Sequence, residues 1–351
     1  MSVLSAPRAT AEPLMDGFRR TITYLRVSIT DRCNLRCVYC MPSGGLDWKP
    51  REDILRFEEI VHIARVARAR GVRKVRVTGG EPLVRHGCVD LIAMLGELGF
   101  DELCLTTNGL RFAEHAAQLK AAGLSRVNIS LDTLDADKFR TITRGGDIDK
   151  VWAAIDAALA HDLRPRLNVV AMRGFNEDEL PALAALTVAR PITVRFIEVM
   201  PFAGRIDPRL VEDHQIADCE SKLVDPLPLE AVRRRLGLPA ALTLAQSPGS
   251  LPVLNTLGPA EYTRLPGALG ELGFIASMHQ HICERCNRVR LTADGWLKPC
   301  LLGDEKVFLR DAARAGDEAG LHAAFEELMR IKPQYGRREG ERPEAMTSIG
   351  G

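Results

Sequence analysis

Net charge is what this sequence has least of: 47 Lys and Arg stand against 46 Asp and Glu, which leaves +1. No global field favours a nucleic acid or an acidic membrane, so any anion site must be local. Long apolar runs are also missing. Residues 1–20 carry no unbroken apolar core of signal-peptide length, and no later stretch is apolar enough to cross a bilayer. The expectation is a cytoplasmic protein that has neither nucleic acid nor a membrane as partner. There is no low-complexity tract, and no internal repeat apart from an alternation of strand and helix patterns. At 351 residues the chain can bury a large core, and its length favours one big domain with a smaller one.

What the chain does have is cysteine. In a reducing compartment its nine cysteines are more readily metal ligands or catalysts than disulfides. Six form two tight triads, Cys33, Cys37 and Cys40 near the start and Cys283, Cys286 and Cys300 near the end, whereas Cys88, Cys104 and Cys219 stand alone.

Between Ile22 and Met200, β-branched runs alternate with amphipathic stretches. The strand candidates are Ile22–Thr30, Lys74–Thr78, Leu103–Thr107, Arg126–Leu131, Arg166–Ala171 and Thr193–Val199. Helix candidates such as Phe57–Arg70, Val89–Leu98, Phe112–Ala121, Val151–Ala160 and Glu177–Ala189 lie between them. Six strand-helix units with right-handed crossovers predict a parallel sheet, and six are too few to close an eight-stranded barrel. The expected fold is therefore α/β, a partial, open barrel whose mouth is closed by a smaller C-terminal unit; a doubly wound sheet is the alternative. Residues 1–20 read as a mobile leader, 21–200 as the barrel, 201–250 as a linker with a helix at Leu229–Leu236, and 251–351 as the C-terminal unit, with a helix around Leu321–Ile331 and a polar tail ending in Gly350 and Gly351.

The first triad follows the first strand, at the end of a parallel barrel where active-site groups collect. Three thiolates on a 4Fe-4S cluster leave one iron open to a small molecule. A structural zinc site would need a fourth ligand, and the loop offers none, His62 being far along the chain. Other strands end in small or polar groups at the same rim: Thr78-Gly79-Gly80-Glu81-Pro82, Thr106-Thr107-Asn108, Ser130 and Asp132, Glu198 and Met200. Paired glycines expose backbone to close approach, although each of these residues alone could be an ordinary turn or cap. Alternation puts Arg26, Ser28 and Thr30 on one face, as it does Arg76 with Thr78 and Arg166 with Asn168. If that face is inward, the arginines imply an anionic ligand such as a phosphorylated molecule; if it is outward, they are merely solvated. The second triad is a separate centre, either a cluster with an open iron or a zinc site completed by His279 or His281. Within it, Arg288 and Arg290 share a face on either side of Val289 and could clamp a polyphosphate or line a plain polar strand.

Cys-x3-Cys-x2-Cys resembles the signature of the radical S-adenosylmethionine superfamily. Two triads at these spacings, with Arg288-Val289-Arg290 and the Gly-Gly end, are similar to the MoaA family of GTP 3',8-cyclases in molybdenum cofactor biosynthesis. The likeness runs through Tyr24-Leu25-Arg26-Val27-Ser28, Thr30 to Cys37, Tyr39 to Pro42, Val75 to Pro82, Thr106 to Gly109, Ser130-Leu131-Asp132, Arg195 to Glu198 and Cys286-Asn287-Arg288.

This resemblance implies that Cys33, Cys37 and Cys40 hold a radical-generating 4Fe-4S cluster, with Tyr39, Gly80, Ser130 and Met200 around S-adenosylmethionine. It implies a second 4Fe-4S cluster on Cys283, Cys286 and Cys300 that faces guanine, GTP held by Arg26, Arg76, Thr106, Arg166, Arg288, Val289 and Arg290, and Gly350 and Gly351 reaching the active site. It implies a 5'-deoxyadenosyl radical that takes the ribose C3' hydrogen, attack on guanine C8, and 3',8-cyclo-7,8-dihydro-GTP as product. A homodimer, an external electron donor, and cyclic pyranopterin monophosphate synthase as consumer of the product follow by the same resemblance. Three departures stand out: Arg166 where the family usually has lysine, the stretch Phe202–Leu251, and His281-Ile282-Cys283. A radical peptide-modifying maturase and a non-catalytic iron-sulfur or zinc protein are the rival readings.

Overall fold

The computed structural model describes residues 12–41, 46–200, 227–238, 260–276 and 282–336. Gly350, Gly351, Cys219, His279 and His281 lie outside these described residues. Six strands, β1 (Tyr24–Ser28), β2 (Lys74–Thr78), β3 (Glu102–Thr107), β4 (Arg126–Ser130), β5 (Arg166–Ala171) and β6 (Thr193–Glu198), lie side by side in chain order, all parallel. Crossovers run through α1 (Phe57–Ala69), α2 (Cys88–Gly96), α3 (Phe112–Ala121), α4 (Ala136–Thr143) with α5 (Ile148–Ala160), and α6 (Leu180–Ala189).

Alternation along each strand decides the layers. Leu25, Val27, Val75, Val77, Leu105, Val127, Ile129, Leu167, Val194 and Phe196 join one core with helical residues such as Ile60, Ile63, Leu91, Phe112, Val151 and Leu183. Their strand neighbours Arg26, Arg76, Thr106, Asn128, Arg166, Asn168 and Arg195 turn the other way and line a single cavity. Helices on one face and a cavity on the other are the arrangement of an open barrel, not of a doubly wound sheet.

The C-terminal residues supply both flanks of this sheet. On one side β8 (Glu271–Ile275) pairs parallel with β6, and β7 (Glu261–Thr263) pairs antiparallel with β8. On the other side β9 (Arg288–Leu291) pairs parallel with β1, followed by antiparallel β10 (Trp296–Lys298) and β11 (Val307–Phe308). The eleven strands run β11-β10-β9-β1-β2-β3-β4-β5-β6-β8-β7. Helix α7 (Leu229–Arg235) precedes β7, and α8 (Arg310–Ala315) and α9 (Glu318–Ile331) pack beside α1.

Two features depart from the sequence reading. Residues 12–20 of the supposed mobile leader are docked: Leu14 is fully buried, Leu14 N donates to Arg70 O, and Ile22 N returns to Leu14 O. Helix α4 has no counterpart among the sequence candidates. It has only eight residues, of which Phe139, Ile142 and Thr143 are buried, and the side chain of Asp135 caps it by accepting from the N–H groups of Asp137 and Lys138.

Candidate active site

The loop carrying the first triad is clamped between two neighbours. On one side α4 ends against it: Thr143 O accepts from Arg36 N at 3.2 Å and Ile142 O from Val38 N at 2.9 Å. Arg144 Nη1 then donates to the carbonyls of Arg36 and Met41, each at 2.9 Å. On the other side Gly80 N donates to Thr30 O at 2.7 Å and Glu81 N to Arg32 O at 2.9 Å. A side chain at Gly80 would meet the Arg32 carbonyl, so the backbone that approaches the paired glycines is first of all the chain's own. Glu81 is buried and ties the rim together, with Oε1 accepting from Thr107 Oγ1 at 2.8 Å and Oε2 from Asn108 N at 2.6 Å. Burial outweighs these hydrogen bonds and lifts its carboxyl to about 7. Asn108 extends the brace to the loop, its side-chain amide donating to Asn34 Oδ1 at 2.8 Å and lying 3.9 Å from Cys33 Sγ.

Cys33, Cys37 and Cys40 all open onto the cavity, and so do Tyr39, Gly80, Ser130 and Met200. Tyr39 donates its hydroxyl to Asp132 Oδ2 at 2.7 Å, and Val170 N donates to Asp132 Oδ1 at 2.8 Å. Burial pushes Asp132 up to about 6 in spite of both bonds. Burial likewise raises Cys33 to about 11 and Cys40 to about 12, so these thiols become thiolates when a cation takes the proton's place. The donor set fits an iron-sulfur cluster, with three sulfurs on one short loop and Leu35 N donating to Cys33 Sγ at 3.4 Å. Among the described residues no three Cys, His, Asp or Glu side chains converge on one point as ligands of a single ion do.

Deeper in the barrel the cavity, about 360 Å³ in volume, is lined by cations. Register places Arg290, Arg26 and Arg76 side by side on β9, β1 and β2. Arg76 is fixed by donating Nε to Tyr24 Oη at 2.6 Å and Nη1 to Leu105 O at 3.2 Å, with Thr106 Oγ1 at 3.4 Å. Arg195 donates to Asn168 Oδ1 at 2.5 Å, and the guanidinium of Arg166 lies 5.6 Å from the Tyr262 ring centre. At the floor Glu102 pairs with Lys74 and, at 2.8 Å, with Arg126. Burial, and then the neighbouring arginines, lower Arg26 and Arg195 to about 10, and burial takes Arg290 well down. The Nε atoms of Arg166 and Arg195 are buried without a hydrogen-bond partner. So many buried guanidiniums on one cavity wall suit a polyanion.

Cys33 follows the C-terminal end of β1, whereas Cys283 and Cys286 precede the parallel β9 and Cys300 follows the antiparallel β10. The second triad, with Arg288 beside it, therefore lines the cavity from the other end of these strands. Burial opposes it, but Lys332 and Arg288 bring the Cys286 thiol down to about 7. Leu302 N donates to Cys300 Sγ at 3.4 Å, the same turn geometry that Leu35 gives Cys33. Arg20, paired with Asp16 at 2.6 Å, donates to the carbonyls of Cys283, Pro333 and Gln334 and so anchors this loop to the docked leader.

Of the described residues that the sequence reading assigned to a cluster, S-adenosylmethionine or GTP, Val289 alone does not face the cavity, being fully buried in the hydrophobic core on the far side of β9. Ser28, Thr30, Glu81 and Pro82, expected on the same face or rim, do not line it either. The cavity also takes residues not assigned to a ligand from the sequence: Tyr24, Lys74, Asn128, Arg195 and Tyr262. Period-two counting from Arg26 and Arg166 would have recovered Tyr24 and, across the ladder, Arg195. Tyr262 gives no such signal, because it sits on a three-residue strand that only long-range pairing places there.

Residues 27–187 match the radical SAM superfamily, and residues 207–337 match the family Molybdenum Cofactor Synthesis C. The GTP 3',8-cyclase of Heliobacterium modesticaldum is 45% identical over 346 residues, which is 96% of this chain and all of that one. That of Moorella thermoacetica is 46% identical over 343 residues, again 96% of this chain and all of the other. Among solved structures, Streptococcus suis SuiB bound to S-adenosylmethionine superposes with a TM-score of 0.57 at 16% identity, covering 91% of this chain and 77% of that one, which is a likeness of fold. No described helix is long and apolar enough to cross a membrane. By sequence along nearly its whole length, and by an open parallel barrel with a cysteine loop after its first strand, this chain belongs to the GTP 3',8-cyclase family of the radical SAM superfamily.

Proposed function

We propose that the protein converts GTP to 3',8-cyclo-7,8-dihydro-GTP, the first step of molybdenum cofactor biosynthesis, inside this one cavity. The observation that carries the reading is that both cysteine triads and the arginines between them line a single cavity. Family membership brings S-adenosylmethionine and an iron-sulfur cluster. Bound at Cys33, Cys37 and Cys40, that pair supplies a 5'-deoxyadenosyl radical able to take the ribose C3' hydrogen.

The chain's own residues do the rest. Tyr39, oriented by Asp132, together with Gly80, Ser130 and Met200 forms the wall for S-adenosylmethionine. Arg26, Arg76, Thr106, Arg166, Arg288 and Arg290 receive the triphosphate, whose charge relieves the mutual repulsion of the guanidiniums. Arg166 replaces the family's usual lysine, and its flat guanidinium on the Tyr262 ring is held more firmly than an ammonium would be. Cys283, Cys286 and Cys300 hold a second 4Fe-4S cluster near the guanine, and Gly350 and Gly351 enter the site. The protein works in the cytoplasm as a homodimer, takes electrons from an external donor and hands its product to cyclic pyranopterin monophosphate synthase.

Anaerobic incubation with GTP, S-adenosylmethionine and a reductant, followed by mass analysis, is the test. A cyclised product isomeric with GTP, together with 5'-deoxyadenosine, is expected; 5'-deoxyadenosine without such a product would remove GTP as substrate.

A further inference from the structure

We propose that Lys332 is the built-in counter-charge of the second triad, a positioning residue that raises the reduction potential of the cluster the triad holds. The proposal rests on the reading that Cys283, Cys286 and Cys300 bind such a cluster.

Lys332 follows directly after α9 and is 3% exposed. An ammonium has three protons to give. Its Nζ donates to Pro299 O at 2.6 Å and Arg288 O at 2.9 Å, and its third partner is Cys286 Sγ at 3.7 Å. One of those carbonyls lies two residues after Cys286 and the other immediately before Cys300. The lysine therefore ties together the two stretches of chain that bring in the triad.

None of its three partners is a carboxylate. Among the described residues some other buried cations have one, as Arg20 has Asp16, Lys74 has Glu102 and Arg233 has Glu261, whereas Arg76 and Arg195, held by neutral groups, face the cavity where an anion is expected. A buried ammonium with only neutral acceptors is costly, so its position makes sense when a partner carries negative charge. Of its partners only the sulfur can do so, as a metal-bound thiolate. The first triad has no equivalent among the described residues: Cys33 Sγ accepts from neutral groups, the N–H of Leu35 and the amide of Asn108 among them, and no Lys or Arg donates to Cys33, Cys37 or Cys40.

A fixed positive charge at a ligand sulfur favours the reduced cluster, which carries one more negative charge, and hydrogen bonds to cluster sulfurs act in the same direction. Replacing the ammonium with a neutral group should make the second centre harder to reduce and leave the first alone.

The test uses the full-length chain, reconstituted anaerobically, as wild type, Lys332→Gln and Lys332→Arg. Iron is counted, and each centre is titrated with dithionite and mediators under electron paramagnetic resonance. The wild type should hold about eight irons; about four would sink the second cluster and this proposal with it. In Lys332→Gln the reduced-to-oxidised ratio of the second centre at a fixed potential should fall at least tenfold, about 59 mV for one electron. Lys332→Arg should stay near the wild type, and 5'-deoxyadenosine formation without GTP should be unchanged in both. An unmoved second wave in a fully loaded Lys332→Gln overturns the proposal. Should Lys332→Gln keep only about four irons, full loading and a wild-type wave in Lys332→Arg support the charge, whereas loss in both variants shows that shape alone matters and overturns it.

Discussion

Replacing Gly80 with alanine tests whether the cysteine loop is placed by backbone packing. The added Cβ would come 2.6 Å from the Asp31 oxygen and from the Arg32 carbonyl carbon, and closer still to the Arg32 oxygen. Ordinary contact begins near 3.4 Å, so the two backbones must part by about 0.8 Å or more. Neither contact is a flexible side chain that could swing aside. Parting them stretches the bonds from Gly80 N to Thr30 O and from Glu81 N to Arg32 O, each worth about 1 kcal/mol net. Overpacking adds about 1–3 kcal/mol. Cys33 is the next residue, and a shift of about 1 Å in a reacting assembly can cost about 100-fold in rate.

Gly80→Ala should therefore unfold at lower urea by about 2–4 kcal/mol and lose about 100-fold or more in 5'-deoxyadenosine formation, with the second centre still loaded. Gly17→Ala, with nothing within 4 Å, is the control and should match the wild type. Anaerobic urea titration, iron analysis and chromatography of 5'-deoxyadenosine give the three readouts. A Gly80→Ala protein with wild-type stability and radical formation would falsify the packing argument.

Three further outcomes are expected. Cys40→Ala should abolish 5'-deoxyadenosine formation and lower iron from about eight to about four per chain, as counted after reconstitution. Arg166→Ala should weaken GTP binding about 10- to 100-fold, the loss of one charge-assisted hydrogen bond of about 1.5–3 kcal/mol, and leave uncoupled 5'-deoxyadenosine formation intact; calorimetry and product analysis separate the two. The Glu81 carboxyl is raised from 4.5 to about 7 in the folded chain, so its contribution is fully present below the unfolded value and fades as pH rises towards 7. The stability of the wild type relative to Glu81→Gln should fall between about pH 4.5 and 7 and level off above; a difference flat with pH, measured by urea titration at each pH, would refute the burial of that carboxyl.

Much of the barrel could be read before folding because its strands obey period two on a sheet with one dry face. Lys74–Thr78 and Arg166–Ala171 match the expected spans residue for residue, as does Phe112–Ala121 among the helices. Boundaries slipped where local signals were weak, as at β1, whose ladder stops at Ser28 because the chain there turns to meet Thr78 O and the glycine loop. Helix α4 was missed because it is only eight residues long and mostly polar, although Asp135 as a cap and Phe139 and Ile142 three residues apart were a legible signal; the burial of those two side chains holds so short a helix. The leader's docking was equally hidden, since Leu14 and Arg20 gain partners only in the fold.

By itself the sequence determined the chemistry on offer: two cysteine triads too widely separated to be one site, the strand-helix rhythm, and arginines in phase with one another along the strands. These are local properties, fixed by spacing and by the period of side-chain direction. Whether that phase pointed inward was decided only in three dimensions, where the apolar half of each strand had to bury itself against the helices and so turned the charged half into the cavity. The same holds for the pairing of β9 with β1, which aligns Arg290, Arg26 and Arg76 across strands more than two hundred residues apart. It holds too for Tyr262 on Arg166 and Lys332 on Cys286. No window of sequence contains both members of such contacts, because burial and hydrogen-bond satisfaction of the whole chain choose them.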